Sequence, residues 1–171
     1  GDLSQCSLLR SRCLSYFLDI YLIFYSDIVM KILILCTGNS CRSQMGHGWM
    51  QAFNEALEVH SAGTEPAECV NPLAVKVMKE VGINISHQVP KSVNRYLGES
   101  WDYVITVCGG ANESCPAFLG EVKHRLHIGF DDPSKVKGTE EFVLSEFRRV
   151  RDEIKERFFE LYSNEIRTML I

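Results

Sequence analysis

Two patterns of apolar and polar positions alternate along this chain from residue 31 onward. Four short segments have the length and apolar content of strands. The first, Lys31–Leu35, is a continuous apolar run that meets the turn-forming residues Cys-Thr-Gly-Asn-Ser, which is typical of a strand buried on both faces of a sheet. The other predicted strands are Glu58–Ser61, Tyr103–Val107 and Arg125–Gly129.

Longer segments with apolar residues at helical spacing lie between and after these strands. The first predicted helix has an apolar face made of Met45, Trp49, Ala52, Phe53 and Ala56. The second begins at Pro72 and ends at Gly82, and its inward residues are Ala74, Val77, Met78 and Val81. Thr139 caps the third, whose apolar stripe is Val143, Phe147, Val150, Ile154, Phe158 and Leu161.

Strands that alternate with helices predict βαβ units and a single α/β domain with a mainly parallel, doubly wound sheet. In such sheets, ligands bind beyond the carboxyl ends of the strands. Cys36, Cys108 and the pair Asp131-Asp132 each follow a predicted strand. We therefore expect these reactive side chains to meet at one edge of the sheet.

We assign residues 30–171 to this domain and residues 1–29 to an N-terminal extension outside the fold. The segment Leu14–Val29 is strongly apolar, but two aspartates interrupt it and it is too short for an ordinary membrane span. An amphipathic membrane anchor is the alternative, for which only two nearby arginines supply positive charge.

The composition is that of an ordinary soluble globular protein, with 46% hydrophobic and 23% charged residues in a chain of 171. The net charge of −4 argues against nucleic acid or anionic lipid as a partner. The seven cysteines are odd in number and no clean secretory signal is present. Free or catalytic thiols in a reducing cytoplasm are therefore expected in place of a disulfide framework.

The segment Cys36–Ser43 joins the first predicted strand to the first helix and has the pattern Cys-x5-Arg. Its backbone N–H groups can curl around a tetrahedral anion, and the helix N-terminus adds a positive dipole end. Arg42 offers a planar fork of donors that can hold two oxygens. This field is expected to lower the pKa of the Cys36 thiol. The alternative is a small buried hydrophobe at a strand end. The predicted oxyanion-binding residues are Thr37, Gly38, Asn39, Ser40, Cys41 and Ser43.

The run Cys-Thr-Gly-Asn-Ser-Cys-Arg-Ser-Gln-Met, residues 36–45, resembles the loop of the low-molecular-weight tyrosine phosphatase superfamily, and most closely that of its thioredoxin-coupled arsenate reductases. The resemblance extends from about Met30 to the final helix and implies a four-stranded parallel sheet flanked by helices. It also implies that Cys36 attacks an oxyanion and that Asp132, before Pro133, acts as the acid. Asp131 is a possible substitute, and a simple turn is the alternative for this segment.

Two further thiols, Cys108 and Cys115, resemble the redox segment of the arsenate reductases. Reduction of arsenate to arsenite needs two electrons, which two thiols supply when they become a disulfide. The resemblance implies that Cys36 attacks arsenate, that Cys108 then attacks Cys36, and that Cys115 attacks Cys108. Thioredoxin would reduce the final disulfide as an external reductant, with no bound cofactor and with a monomer as the working unit.

Other interpretations stay open. The first is a phosphatase for phosphotyrosine or phosphoarginine, although Ser134–Lys137 replaces the aromatic residues usual after its Asp-Pro. The second is a non-enzymatic module that binds anions or senses thiols. Zinc is disfavoured because the spacings Cys-x4-Cys and Cys-x6-Cys are not usual zinc pairs. Cys41 has no obvious role, and Cys69 is expected to be structural.

Some members of the superfamily hold a potassium ion behind the loop with an asparagine, a serine, a glutamate and an aspartate. Asn39 and Ser61 match the first two, whereas His47 takes the glutamate position and Lys91 lies near the aspartate position. Loss of both carboxylates removes most of the negative charge that a cation needs. We hypothesise that the Lys91 ammonium replaces the ion and steadies Asn39; a solvated Lys91 is the alternative.

Overall fold

The structure is a computed structural model that describes residues 29–108 and 117–170. Its central feature is one parallel sheet of four strands in the order β2-β1-β3-β4. The strands are β1 (Lys31–Cys36), β2 (Glu58–Gly63), β3 (Trp101–Thr106) and β4 (Val122–His127). The predicted fold class is confirmed.

The order of the strands reverses direction at β1, since β2 lies on one side of it and β3 and β4 on the other. Right-handed crossovers then place the connecting helices on opposite faces, as in a doubly wound sheet. The point of reversal, between β1 and β3, is where such sheets open a crevice for ligands. Ile32, Leu33, Ile34 and Leu35 are completely buried, which confirms that β1 is covered on both faces.

The helices are α1 (Arg42–Phe53), α2 (Pro72–Glu80) and α3 (Glu140–Leu161). A π-helical turn at Tyr162–Ile166 and a short helix α4 (Arg167–Met169) follow. Short 3-10 helices form at Val93–Tyr96 and Pro133–Lys135. The Thr139 side chain accepts a hydrogen bond from the Phe142 N–H and caps α3, as predicted.

Three details of the predicted helices were wrong. Ala52 is exposed on the surface of α1, and Ala56 is exposed beyond the end of this helix at Phe53. Val81 is exposed at the end of α2. On α3, the predicted stripe left out Leu144, which is buried, whereas Val143 is partly buried against the core as predicted.

The buried surface of α1 includes Gly46 and Gly48, which periodicity alone did not single out. A Cβ added at Gly46 would lie 2.8 Å from the Phe158 ring of α3, and one at Gly48 would lie 2.9 Å from Ile85. The absence of both side chains lets α1 approach its neighbours on two sides. This close packing fixes the helix that follows the reactive loop.

The predicted fourth strand began three residues too late and ended two residues too late, since the observed one runs from Val122 to His127. Its residues alternate between partly buried and exposed, as an edge strand with one covered face requires. The prediction followed apolar content, which is weak in this polar strand.

No helix within the described residues is long and apolar enough to cross a membrane. Residues 1–28 lie outside the described part of the chain, so the assignment of an N-terminal extension stays a prediction.

Candidate active site

The loop after β1 and the ends of β3 and β4 form one cleft of about 440 Å³ at the carboxyl edge of the sheet. The predicted juxtaposition of Cys36, Cys108 and Asp132 is therefore present in the structure. The residues that line the cleft are Cys36, Thr37, Gly38, Ser40, Cys41, Arg42, Cys108, Asp132, Ser134 and Lys135.

The loop holds its shape through backbone hydrogen bonds to residues 64–71, the segment after β2. The carbonyl oxygens of Cys36, Thr37, Gly38 and Ser40 accept from the N–H groups of Thr64, Glu65, Ala67 and Asn71 at 2.8–3.2 Å. Because these carbonyl oxygens are hydrogen-bonded to residues 64–71, they do not repel an anion bound in the loop. Asn39 has a φ of +48°, the only non-glycine residue with positive φ in the described part of the chain. Asparagine tolerates this left-handed conformation better than most residues.

Cys36 lies at the base of the cleft with 3% of its surface exposed. Its sulfur is 2.9 Å from the Ser43 Oγ and accepts from the Asn39 N–H at 3.0 Å. Burial raises the pKa of the Cys36 thiol, although the hydrogen bonds from Ser43 and Asn39 act in the opposite direction and the nearby Cys108 adds to the rise. The expectation of a lowered pKa was therefore wrong.

The arrangement of Arg42 accounts for part of this difference. Its Nη2 donates to the Asp132 Oδ2 at 3.0 Å, and its Nη1 donates to the Phe130 carbonyl at 2.9 Å. A guanidinium that is paired with a carboxylate offers little net positive field to the thiol. The same contacts place Asp132 at the cleft, 90 residues away from Arg42 along the chain.

Asp132 is held in turn by Ser134, whose backbone N–H and hydroxyl donate to the Asp132 Oδ1 at 3.1 and 2.7 Å. The neighbouring Asp131 is exposed and forms an ion pair of 3.0 Å with Arg149 of α3. This placement directs Asp131 away from the cleft and does not support it as a substitute acid.

A buried polar network supports Asn39 from behind the loop. Its Nδ2 donates to the Ser43 Oγ at 2.8 Å, and its Oδ1 accepts from the Lys91 backbone N–H at 2.9 Å. Gln44 donates to the Asn39 carbonyl at 2.9 Å and accepts from the Ser61 hydroxyl at 3.5 Å. Gln44 was missed at the sequence level. The available signal was a polar residue directly after the loop, in the first turn of the predicted helix; the structure shows that this glutamine is fully buried, where a polar side chain needs partners.

His47 and Lys91 lie beside this network. The His47 Nδ1 is 3.4 Å from the Ser61 Oγ, and burial, followed by the charge of Lys91, lowers the pKa of His47 to about 4. Burial, followed by the charge of Arg95, lowers the pKa of Lys91. Lys91 does steady Asn39, but through its backbone N–H; within the described residues its ammonium group makes no hydrogen bond. The replacement of potassium stays a prediction.

Cys108 follows β3 and is 4% exposed. Its sulfur is 3.4 Å from the Thr37 Oγ1, which ties it to the loop that carries Cys36. The two cysteines follow neighbouring strands, and the Val107 N–H donates to the Leu35 carbonyl at 2.9 Å. Cys115 lies outside the described residues, so its predicted role is untested.

The remaining described cysteines differ in their surroundings. Cys41 is buried in the loop, and burial raises the pKa of its thiol to about 12, so it stays protonated at neutral pH. Cys69 is exposed, which does not support the structural role expected for it.

Comparison with known proteins bears on this geometry. Residues 31–169 match the family described as "Low molecular weight phosphotyrosine protein phosphatase". The chain belongs to this family. It is 51% identical over 127 residues to the arsenate reductase of Halalkalibacterium halodurans, a match that covers 74% of this chain and 90% of the relative. The resemblance stated from the loop sequence is thereby confirmed.

Two solved structures of arsenate reductases share the fold. "An arsenate reductase in the phosphate binding state" is 31% identical, with a TM-score of 0.68 and coverage of 79% of this chain and 98% of that one. The Corynebacterium glutamicum "thioredoxin-dependent arsenate reductase" is 28% identical, with a TM-score of 0.57 and coverage of 79% of this chain and 61% of that one.

This member of the low-molecular-weight phosphatase family combines two sets of groups in one cleft. Cys36, Arg42 and Asp132 bring together a thiol, a guanidinium and a carboxyl group, which are the chemical types that a nucleophile, an anion-binding cation and an acid require. Cys108 adds a second thiol that an ester-cleaving enzyme does not need. This combination permits both attack on a tetrahedral oxyanion and transfer of two electrons to it.

Proposed function

We propose that this chain reduces arsenate to arsenite, with Cys36 as nucleophile and Cys108 and Cys115 as the thiols that complete the electron transfer. The observation that carries this proposal is the position of Cys108 on the wall of the Cys36 cleft, with its sulfur 3.4 Å from the Thr37 hydroxyl. Two relatives named as arsenate reductases, which are 51% and 49% identical to this chain in sequence, support it.

In the first step, the Cys36 sulfur forms a bond to arsenic while an arsenate oxygen departs, with a proton from Asp132. Arg42 can hold two of the other oxygens, and this requires it to leave part of its contact with Asp132. The Cys36 thiol, whose pKa burial raises, is the source of that proton: it leaves the sulfur as the arsenic–sulfur bond forms, passes by way of the anion to the Asp132 carboxylate, and departs with the oxygen as water.

The second step is the reduction itself. The Cys108 sulfur attacks the Cys36 sulfur, a disulfide forms, and the arsenic–sulfur bond breaks with its electron pair on arsenic. Arsenic(V) becomes arsenic(III), and two thiols supply the two electrons. Cys115 then attacks Cys108, which frees Cys36 and leaves a Cys108–Cys115 disulfide.

Thioredoxin then reduces this last disulfide from outside the monomer. The protein works in a reducing cytoplasm and needs no bound cofactor. A solved relative described as thioredoxin-dependent supports that choice.

The test is a coupled assay with arsenate, thioredoxin, thioredoxin reductase and NADPH. We expect arsenate-dependent oxidation of NADPH by the native chain and at most one turnover per enzyme with Cys115→Ser. Cys69→Ser is the matched control, because it removes an exposed thiol that takes no part in the proposed relay. Sustained turnover by Cys115→Ser would refute the relay.

A phosphatase is the second candidate, because Cys36, Arg42 and Asp132 suffice for a phosphocysteine intermediate. Hydrolysis of an aryl phosphate without any arsenate-dependent oxidation of NADPH would favour it. In that case the Cys108→Ser variant would keep full activity, whereas the reductase would lose its turnover.

A further inference from the structure

We propose that Lys135 is the cation that draws the oxyanion into the cleft and thereby sets the affinity for a small dianion. The proposal rests on the proposed function only for the identity of that anion. It concerns capture of the substrate and not the chemical steps.

The local backbone places Lys135 beside the acid. Asp132 caps the 3-10 helix Pro133–Lys135, and the Lys135 N–H donates to the Asp132 carbonyl at 3.3 Å. Both residues line the cleft that contains Cys36.

The charge balance of the cleft gives Lys135 its importance. The charge of Arg42 is offset by Asp132, since the Arg42 Nη2 lies 3.0 Å from the Asp132 Oδ2. Among the described residues, Lys135 forms no ion pair, so it is the cleft-lining cation whose charge is not offset. The whole chain carries a net charge of −4, which opposes the approach of a dianion.

The positive charge of Lys135, in the lining of the cleft, attracts anions and locally outweighs the repulsion from the negative net charge of the chain. Its field raises the concentration of anions near the loop before Arg42 turns from Asp132 to the ligand. Lys135 is exposed, so its effect acts through water and must weaken as salt screens it. Removal of its charge should therefore raise KM and leave kcat unchanged.

Lys137 offers a matched control. It is exposed, lies two residues further along and is not among the residues that line the cleft. Lys135→Gln and Lys137→Gln change the net charge of the chain by the same amount. Any difference between these two variants therefore results from the position of the lysine and not from the net charge of the chain.

The experiment measures binding of inorganic phosphate by titration calorimetry at low ionic strength, and kcat and KM for arsenate in the coupled assay. For Lys135→Gln we expect phosphate affinity and kcat/KM to fall about three- to fivefold with kcat unchanged, the size expected of one exposed charge near a dianion. Lys135→Glu should lower both about tenfold, whereas Lys137→Gln should change neither by more than about 1.5-fold. In 1 M NaCl, where the Debye length is about 3 Å, these differences should disappear.

Equal phosphate affinity for the native chain and Lys135→Gln, or equal losses in the two glutamine variants, would overturn the proposal. A loss of kcat without a change in phosphate binding would also overturn it, because it would place Lys135 in the chemistry. Failure of the proposed function is a separate result: the native chain would then bind phosphate but oxidise no NADPH.

Discussion

Protonation of His47 should make this protein unusually sensitive to mild acid. Burial lowers the pKa of His47 from 6.5 to about 4, and the positive charge of Lys91 adds to the lowering. The unfolded chain binds a proton at this histidine near pH 6.5 and the folded chain only near pH 4. The contribution of His47 to the free energy of unfolding is therefore present above pH 6.5 and is lost as the pH falls toward 4.

The size of the loss follows from the difference between the two pKa values. One pKa unit corresponds to about 1.4 kcal/mol, so the full shift is worth about 3 kcal/mol. Most of it, about 2–3 kcal/mol, is reached by pH 4.5. This is a large part of the free energy of unfolding of an ordinary domain.

The assay is urea unfolding of the native chain and of His47→Gln between pH 7.5 and pH 4.5. The variant loses the contact with Ser61 at every pH, so its absolute stability can be lower. Its decline with acid should nevertheless be about 2–3 kcal/mol smaller than that of the native chain. If the free energy of unfolding fell equally with pH in the native chain and in His47→Gln, the reasoning would be refuted, since other titrating groups would then account for the whole loss of stability.

Two further predictions concern the support of the loop. Gly63→Ala should destabilise the fold by about 1–3 kcal/mol and lower kcat/KM at least about tenfold, because the new Cβ would lie 2.3 Å from the Thr37 carbonyl oxygen; urea unfolding and the coupled assay check this. Gly98→Ala, where a Cβ meets nothing within 4 Å, is the control, and equal behaviour of the two variants would contradict the prediction. Activity in KCl and NaCl of equal ionic strength should agree within about 1.5-fold, because Lys91 and a histidine stand where a cation would need carboxylates. A clear rise with potassium would show that the ion binds despite them.

Sequence reasoning was strongest where a property is local. The apolar run of β1 and the turn-forming loop after it predicted both the buried strand and the place of Cys36. The Asp-Pro step placed Asp132 beside a strand end, and the N-terminal cap of α3 was read from Thr139. Each of these features depends on neighbours along the chain.

Sequence reasoning was weakest where a residue's surroundings come from distant elements. The pairing of Arg42 with Asp132 joins residues 90 positions apart, and the Lys91 N–H reaches Asn39 across 52 positions. The sign of the pKa shift of Cys36 depended on such surroundings, because burial by the assembled sheet outweighs the hydrogen bonds of the loop.

The amino-acid sequence alone determined the class of the fold, the position of the loop after β1 and the two described thiols that share the cleft, because these follow from local apolar patterns and a short motif. Only the tertiary structure decided which charges face one another, which helix faces are covered and how far each titratable group is removed from water. Those properties are set by the order in which strands pair and helices pack, and residues far apart in the chain determine that order jointly.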